Sequence, residues 1–170
     1  MTSPLDNGNR WAMLGVAGFA LGCIGVAAHH LPAMALVNES PSVPRGLYLR
    51  ELGVSPARGD LVAVPQPPSA RGYLGELGMP PDVLLIKRVA AAAGDRVCRK
   101  GRMVQAAERR MAVRSRDRRG IALSAWAGCR RLAPDELFLL GDTPASYDSR
   151  YFGPVRVSDV DGVFRETLTW

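Results

Sequence analysis

Residues 11–28 of this 170-residue chain, WAMLGVAGFALGCIGVAA, carry no charge. A helix of that length reaches about 27 Å, close to the hydrocarbon thickness of a bilayer. The run reads as a transmembrane anchor over 11–30 behind a short tail over 1–10. A cleavable signal peptide is the competing reading, with Arg10 as its charged region and Val26-Ala27-Ala28 as the cleavage sequence. The run is longer than an ordinary signal core, which favours a retained anchor. The weak positive charge of Arg10, partly offset by Asp6, keeps 1–10 in the cytoplasm and places the body, 31–170, across the membrane.

The mass of 18.3 kDa leaves room for one domain behind such an anchor and excludes a two-domain dehydrogenase or a barrel enzyme. The formal charge of +6 invites a nucleic-acid or membrane-surface reading. Between 99 and 131, however, eleven basic residues face only Glu108 and Asp117, a local balance of +9, so the rest of the chain is at −3. Trp126 is the one aromatic residue in that segment, whereas single-strand binders stack successive bases on aromatic rings. No nucleic-acid partner is expected; the cluster either touches anionic headgroups of membrane lipid or is simply solvated. The two histidines, His29 and His30, are adjacent at the end of the apolar run. A Ser-His-Asp arrangement and a multi-His zinc site are thereby disfavoured, and no metal or cofactor is expected.

Cys23 lies inside the apolar run, while Cys98 and Cys129 bracket the arginine-rich segment. Those two either form a disulfide, worth roughly 3–4 kcal/mol in the chain-entropy picture, or remain separate buried thiols. A bridge requires an oxidising compartment such as the periplasm. Beyond Asn38, β-type runs at 46–50, 60–64, 83–89, 96–98, 136–140 and 162–164 are punctuated by Gly-Asp or Pro. They predict a mainly β, mostly antiparallel domain with a small basic β insertion over 99–131. The proline-rich stretch 65–81 reads as a loop with a helical turn near 74–77.

Three stretches carry the chemistry. In the first, Asn38-Glu39-Ser40-Pro41-Ser42-Val43-Pro44-Arg45-Gly46-Leu47-Tyr48, two serines alternate in a proline-constrained turn. The second, Asp82 to Val89, reads as a buried strand in which Lys87 shares a face with Leu85 and Val89, and Arg88 points the other way. The chain has 20 arginines and only two lysines, Lys87 and Lys100. Arginine cannot be deprotonated in a protein, whereas a buried lysine can lose its charge and act as a base. Alternatively, Lys87 snorkels to solvent or pairs with a carboxylate. In the third stretch, Gly141-Asp142-Thr143-Pro144-Ala145-Ser146-Tyr147-Asp148-Ser149-Arg150, a strand ends at a Gly-Asp turn and Asp148 can pair with Arg150.

Together, and after an anchor, the motifs SVPRGLY, LLIKRVAAAAGDRV and GDTPASYDSRYFGPV resemble the type I signal peptidase family of Ser–Lys membrane proteases, most closely its TraF-type conjugative-transfer branch. Thr143 stands where that family usually has Asn, which leaves position 143 without an assigned role. The resemblance implies a signal-peptidase-like antiparallel β catalytic domain with Ser42 as nucleophile and Lys87 as general base. It also implies an oxyanion hole made by the Ser42 N–H and the Ser40 hydroxyl, and a platform braced by Asp142, Asp148, Ser149 and Arg150. The implied enzyme is a single-pass protein of the bacterial inner membrane with a periplasmic catalytic domain. It would cut pilin-like or signal-peptide-bearing precursor proteins, with small residues at the first and third positions before the cut. A non-catalytic membrane-anchored assembly factor on the same scaffold is the alternative.

Overall fold

The computed structural model describes residues 32–170 together with Trp11 and residues 13–19. Trp11 and 13–19 are helical, and among the described residues no helix is long and apolar enough to cross a membrane. The rest of the expected anchor at 11–30, and the expected tail at 1–10, lie outside the described residues. Residues from Met34 to Trp170 form one unit.

In chain order that unit contains β1 (Ala35–Asn38), β2 (Gly46–Glu51), β3 (Leu61–Val64), α1 (Pro68–Glu76), β4 (Leu85–Ala91), β5 (Arg96–Lys100), β6 (Met103–Ala106), β7 (Arg109–Ala112), β8 (Cys129–Arg131), β9 (Glu136–Leu140), α2 (Ser149–Phe152), β10 (Val155–Arg156) and β11 (Gly162–Thr169). A seven-stranded sheet runs β1-β2-β11-β3-β4-β9-β10 and a four-stranded sheet runs β7-β6-β5-β8. Every pairing is antiparallel, as the short alternating runs imply. The second sheet starts at Arg96, ahead of the segment that composition marks out. Cys98 and Cys129 are direct cross-strand partners on β5 and β8 and form a disulfide.

The central strands owe their place to being apolar on both sides. All four residues of β3 are buried. Val62 and Val64 pack with Leu85, Val89 and Leu139 on one face, beneath Ala70 and Leu74 of α1. Leu61 and Ala63 join Tyr48, Ile86 and Phe164 on the other. A bulge between Val89 and Ala91 turns β4 so that Ala90 and Ala91 reach Val97, Val104 and Phe138, joining the two sheets in one core. Gly46 is required where β2 approaches β11: a Cβ there would lie 2.0 Å from the Leu168 carbonyl oxygen.

Besides strands that extend past their expected ends, such as 162–164, which runs on to Thr169, two expectations change in kind or position. The helical turn near 74–77 is a nine-residue helix that begins at Pro68. Proline suits a first helical turn, where its missing N–H costs nothing, and Ala70 and Leu74, one turn apart, bury the same face. The strand foreseen at 83–89 is shifted to Leu85–Ala91, because Pro80, Pro81 and Asp82 form the turn that precedes it.

Candidate active site

The loop from Glu39 to Arg45 joins β1 to β2 and is closed by the Asn38–Gly46 pair. Prolines at 41 and 44 remove two N–H donors, so the loop has few ways to hold itself, and a buried side chain does so instead. Asn38 Nδ2 donates to the carbonyl oxygens of Ser40 (2.9 Å), Val43 (3.1 Å) and Pro44 (2.9 Å). Its Oδ1 accepts from the Ser40 N–H (3.2 Å) and the Ser40 hydroxyl (2.9 Å). Tyr48 OH donates to the Pro44 carbonyl as well, and burial, reinforced by Glu166, pushes that phenol up to about 12, so it remains a donor. From the other side the Asp142 N–H donates to the Ser42 carbonyl at 2.6 Å.

Ser42 is thereby buried with its Oγ 3.0 Å from Lys87 Nζ and 2.8 Å from Ser40 Oγ. Lys87 extends from β4 opposite Val62, on the face of Leu85 and Val89, and is 4% exposed. Among the described residues it neither snorkels nor pairs with a carboxylate, and its side chain has Ser42 as its one hydrogen-bond partner. Burial lowers the Lys87 ammonium from its ordinary 10.5 to about 8, with Asp148 opposing and Arg150 reinforcing the shift. About one molecule in ten then holds a neutral Lys87 at pH 7, a population sufficient for a general base.

The hydrogen-bond directions follow from chemistry. A carboxamide oxygen only accepts, so the Ser40 proton is committed to Asn38 Oδ1. The Ser42 proton then faces Ser40 Oγ when Lys87 is charged, and turns to Nζ when Lys87 is neutral. Among the described residues the Ser42 N–H donates to no protein atom. It is a free donor beside the reactive oxygen, whereas the Ser40 hydroxyl must leave Asn38 before it can face an oxyanion.

The third stretch surrounds this pair. Asp148 and Arg150 are fully buried and joined by two bonds of 2.7 Å. Asp148 also accepts from the Gly141 N–H at 2.9 Å and caps α2 through the Arg150 N–H. Arg150 reaches the carbonyls of Ser146 (2.8 Å) and Ala112 (2.6 Å), which ties the second sheet to the site. The Ser149 hydroxyl accepts from the Leu139 N–H on β9. Arg88, on the opposite face of β4 from Lys87, holds Asp142 through bonds of 3.0 and 2.8 Å, and Arg109 adds a third at 3.4 Å. Burial would raise the Asp142 carboxyl; these two guanidiniums hold it below the usual range. Gly141 cannot carry a side chain, since a Cβ would lie 2.1 Å from Ser146 Oγ and 2.8 Å from the Ser42 carbonyl oxygen.

All the residues singled out in the three stretches thus converge, and the structure adds three, Asn38, Thr143 and Ser146. Asn38 heads the first stretch but gave no sign in sequence of being the hub of its loop. Ser146 and Thr143 have buried hydroxyls without a partner among the described residues, and both line the cleft that holds Ser42. That cleft, about 550 Å³, is lined by apolar side chains such as Val37, Leu77, Met79 and Val83 and by the polar Ser42, Lys87, Tyr73 and Tyr147. Among the described residues no group of three or more His, Cys, Asp or Glu could hold a metal ion. A hydroxyl within hydrogen-bond reach of a largely desolvated amine, with a spare N–H at its side, is equipped for nucleophilic acyl transfer.

The chain is similar to several known proteins. Residues 10–170 match the family described as signal peptidase, peptidase S26. The conjugal transfer protein TraF of Agrobacterium fabrum is 38% identical over 173 residues, spanning 92% of this chain and 94% of that protein. A plasmid transfer protein TraF of Escherichia coli is 32% identical over 152 residues, covering 81% and 85% of the two chains. A crystal structure of a signal peptidase I from Enterococcus faecalis overlaps 65% of this chain and 97% of its own, with 23% identity and a TM-score of 0.41.

Proposed function

The chain belongs to the signal peptidase family, peptidase S26, and on that premise we propose that it is a membrane-anchored serine endopeptidase using Ser42 and Lys87. The observation that carries the reading is the 3.0 Å contact between Ser42 Oγ and the buried Lys87 Nζ, which has no counter-ion of its own among the described residues. Neutral Lys87 takes the Ser42 proton as Oγ attacks the scissile carbonyl. The oxyanion is received by the Ser42 N–H and the re-aimed Ser40 hydroxyl. Collapse breaks the C–N bond, Lys87 returns the proton to the leaving amine, and an acyl-enzyme remains. Water activated by Lys87, or an amine of the substrate itself, then releases the acyl group and frees Ser42.

The substrate class we propose is a secreted or pilin-type precursor in conjugative transfer, supported by the likeness to the TraF proteins. The apolar run at 11–28 supports a single-pass anchor in the inner membrane, and the Cys98–Cys129 bridge suits a periplasmic catalytic domain. Ser42 lies only 14 residues beyond Ala28, so a precursor cut just after its own hydrophobic segment would be met at the membrane surface. Co-expression of a candidate precursor with the parent or the Ser42→Ala protein, followed by mass spectrometry, tests the reading. Cleavage by the parent alone is expected, and a product lighter by one water would mark cyclisation. Equal cleavage by Lys87→Arg would refute the role of Lys87, because arginine stays protonated.

A further inference from the structure

Beyond Tyr147 the catalytic cleft opens into a second recess of about 250 Å³. The two share Tyr73, Leu77, Ala145, Ser146 and Tyr147 as common wall. The floor is aromatic: Tyr147 lies 4.5 Å from Tyr73 and stacks on Tyr151 at 5.0 Å with 5° between the ring planes. The rim is cationic, formed by Arg114, Arg118 and Arg119 from the loop after β7. Asp117 is the one carboxylate in the lining, and it is already engaged. Its Oδ1 accepts from the N–H groups of Arg119 (2.9 Å) and Ile121 (2.8 Å), and its Oδ2 from Tyr73 OH (3.1 Å). Among the described residues neither Arg114 nor Arg118 forms an ion pair, and the Arg119 guanidinium reaches only the Glu76 carbonyl at 3.4 Å. Three guanidiniums against one occupied carboxylate, above an apolar floor, leave a concave site with donors to spare.

We propose that this recess is a specificity site that seats an acidic side chain, Asp or Glu, of the polypeptide substrate at a fixed distance along the chain from the scissile bond. The proposal rests on the peptidase reading of the adjoining cleft. An extended substrate leaving Ser42 crosses the Tyr147 wall to enter the recess, where the aromatic floor takes the methylene groups of the side chain and the guanidinium fork takes its carboxylate. A lipid headgroup is the poorer match, because a bilayer surface meets projecting charges more easily than recessed ones. Side chains of an extended chain alternate, so only one offset, and not its immediate neighbours, should profit from an acidic residue.

The test uses the full chain in detergent micelles with synthetic peptides carrying Ala at the first and third positions before the cut. One Glu is moved through successive positions on both sides, each peptide having a Gln counterpart. At one offset the Glu peptide should exceed its Gln twin in kcat/KM by about tenfold, the scale of a charge-assisted hydrogen bond. In the Arg114→Gln/Arg118→Gln protein that ratio should fall to near one. The same peptides are titrated into Ser42→Ala protein by fluorescence anisotropy, where the Glu preference should persist and again vanish with the two arginines. Preferential binding of Glu peptides that the parent does not cut would uphold the recess and sink the peptidase reading. Cleavage with Glu and Gln equal at every offset would sink the recess and uphold the peptidase. An Arg114→Gln/Arg118→Gln protein that keeps the peptide ratio but loses affinity for phosphatidylglycerol vesicles would also overturn the proposal, in favour of a lipid contact.

Discussion

Replacing Lys87 by methionine separates what the lysine does for chemistry from what it costs the fold. Its ammonium falls from 10.5 to about 8 because it is buried, so the unfolded chain holds this proton more tightly than the folded one. Between those two values the unfolded state binds more protons, and stability must rise with pH. Below about pH 7 both states are charged and the penalty is constant at about 3 kcal/mol; between pH 7 and 10 about 2.5 kcal/mol of it is relieved. Methionine keeps the stem and removes the charge. Urea unfolding of the full chain in micelles, followed by tryptophan emission at several values of pH from 6 to 10, measures both proteins. Other titrating groups act equally on both, so the difference between the curves isolates Lys87. The Lys87→Met protein should be inactive and more stable than the parent at pH 7, with the advantage shrinking steadily towards pH 10. A difference that stays flat across this range would show that Lys87 keeps its proton in the fold, and the argument for a general base would collapse with it.

The same proton governs the rate: kcat/KM should rise with unit slope below about pH 8 and level off above it, as read with a single fluorogenic peptide. Arg150→Met leaves the fully buried Asp148 without its partner. It should cost about 3–5 kcal/mol in urea unfolding and move the activity profile to higher pH, since Asp148 then favours charged Lys87 unopposed. Asn38→Ala frees the loop around Ser42 and should lower kcat about a hundredfold with little change in KM. Cys98→Ser/Cys129→Ser opens a loop whose ends are 31 residues apart and should lose about 3–4 kcal/mol of stability in unfolding under non-reducing conditions.

The long alternating strands and the three chemical stretches were legible because each depends on local pattern. The run 136–140 became β9 without change, and 46–50 lengthened by one residue. The strands β6, β7 and β8 were not legible as separate units. MVQA, RRMA and CRR are short and rich in Ala and Arg, and they are strands because the sheet and the Cys98–Cys129 bridge make them so. Ser42 and Lys87 stood out by residue type, a serine between prolines and one of two lysines in an apolar run, while their roles came only from the resemblance to signal peptidases. Asn38 did not stand out, because its role depends on three carbonyl groups that only the folded loop turns towards it. Arg150 gave the pairing with Asp148 but not its reach to Ala112 on another strand, which no spacing along the chain encodes.

A lysine keeps a low proton affinity only if no nearby carboxylate claims it, and this site has two carboxylates close enough to do so. Asp148 and Asp142 both act to hold the Lys87 proton on. Each is already matched to arginine: Asp148 by Arg150 through two short bonds, Asp142 by Arg88 and Arg109. Arginine stays charged at any pH the protein meets, so these pairs remain formed while Lys87 titrates. Lysine in place of Arg150 or Arg88 would make a single-point contact where the guanidinium makes two, and the freed carboxylate oxygen would turn towards Nζ. Three permanent cations, Arg88, Arg109 and Arg150, thus neutralise the two acids and leave Lys87 free to lose its charge.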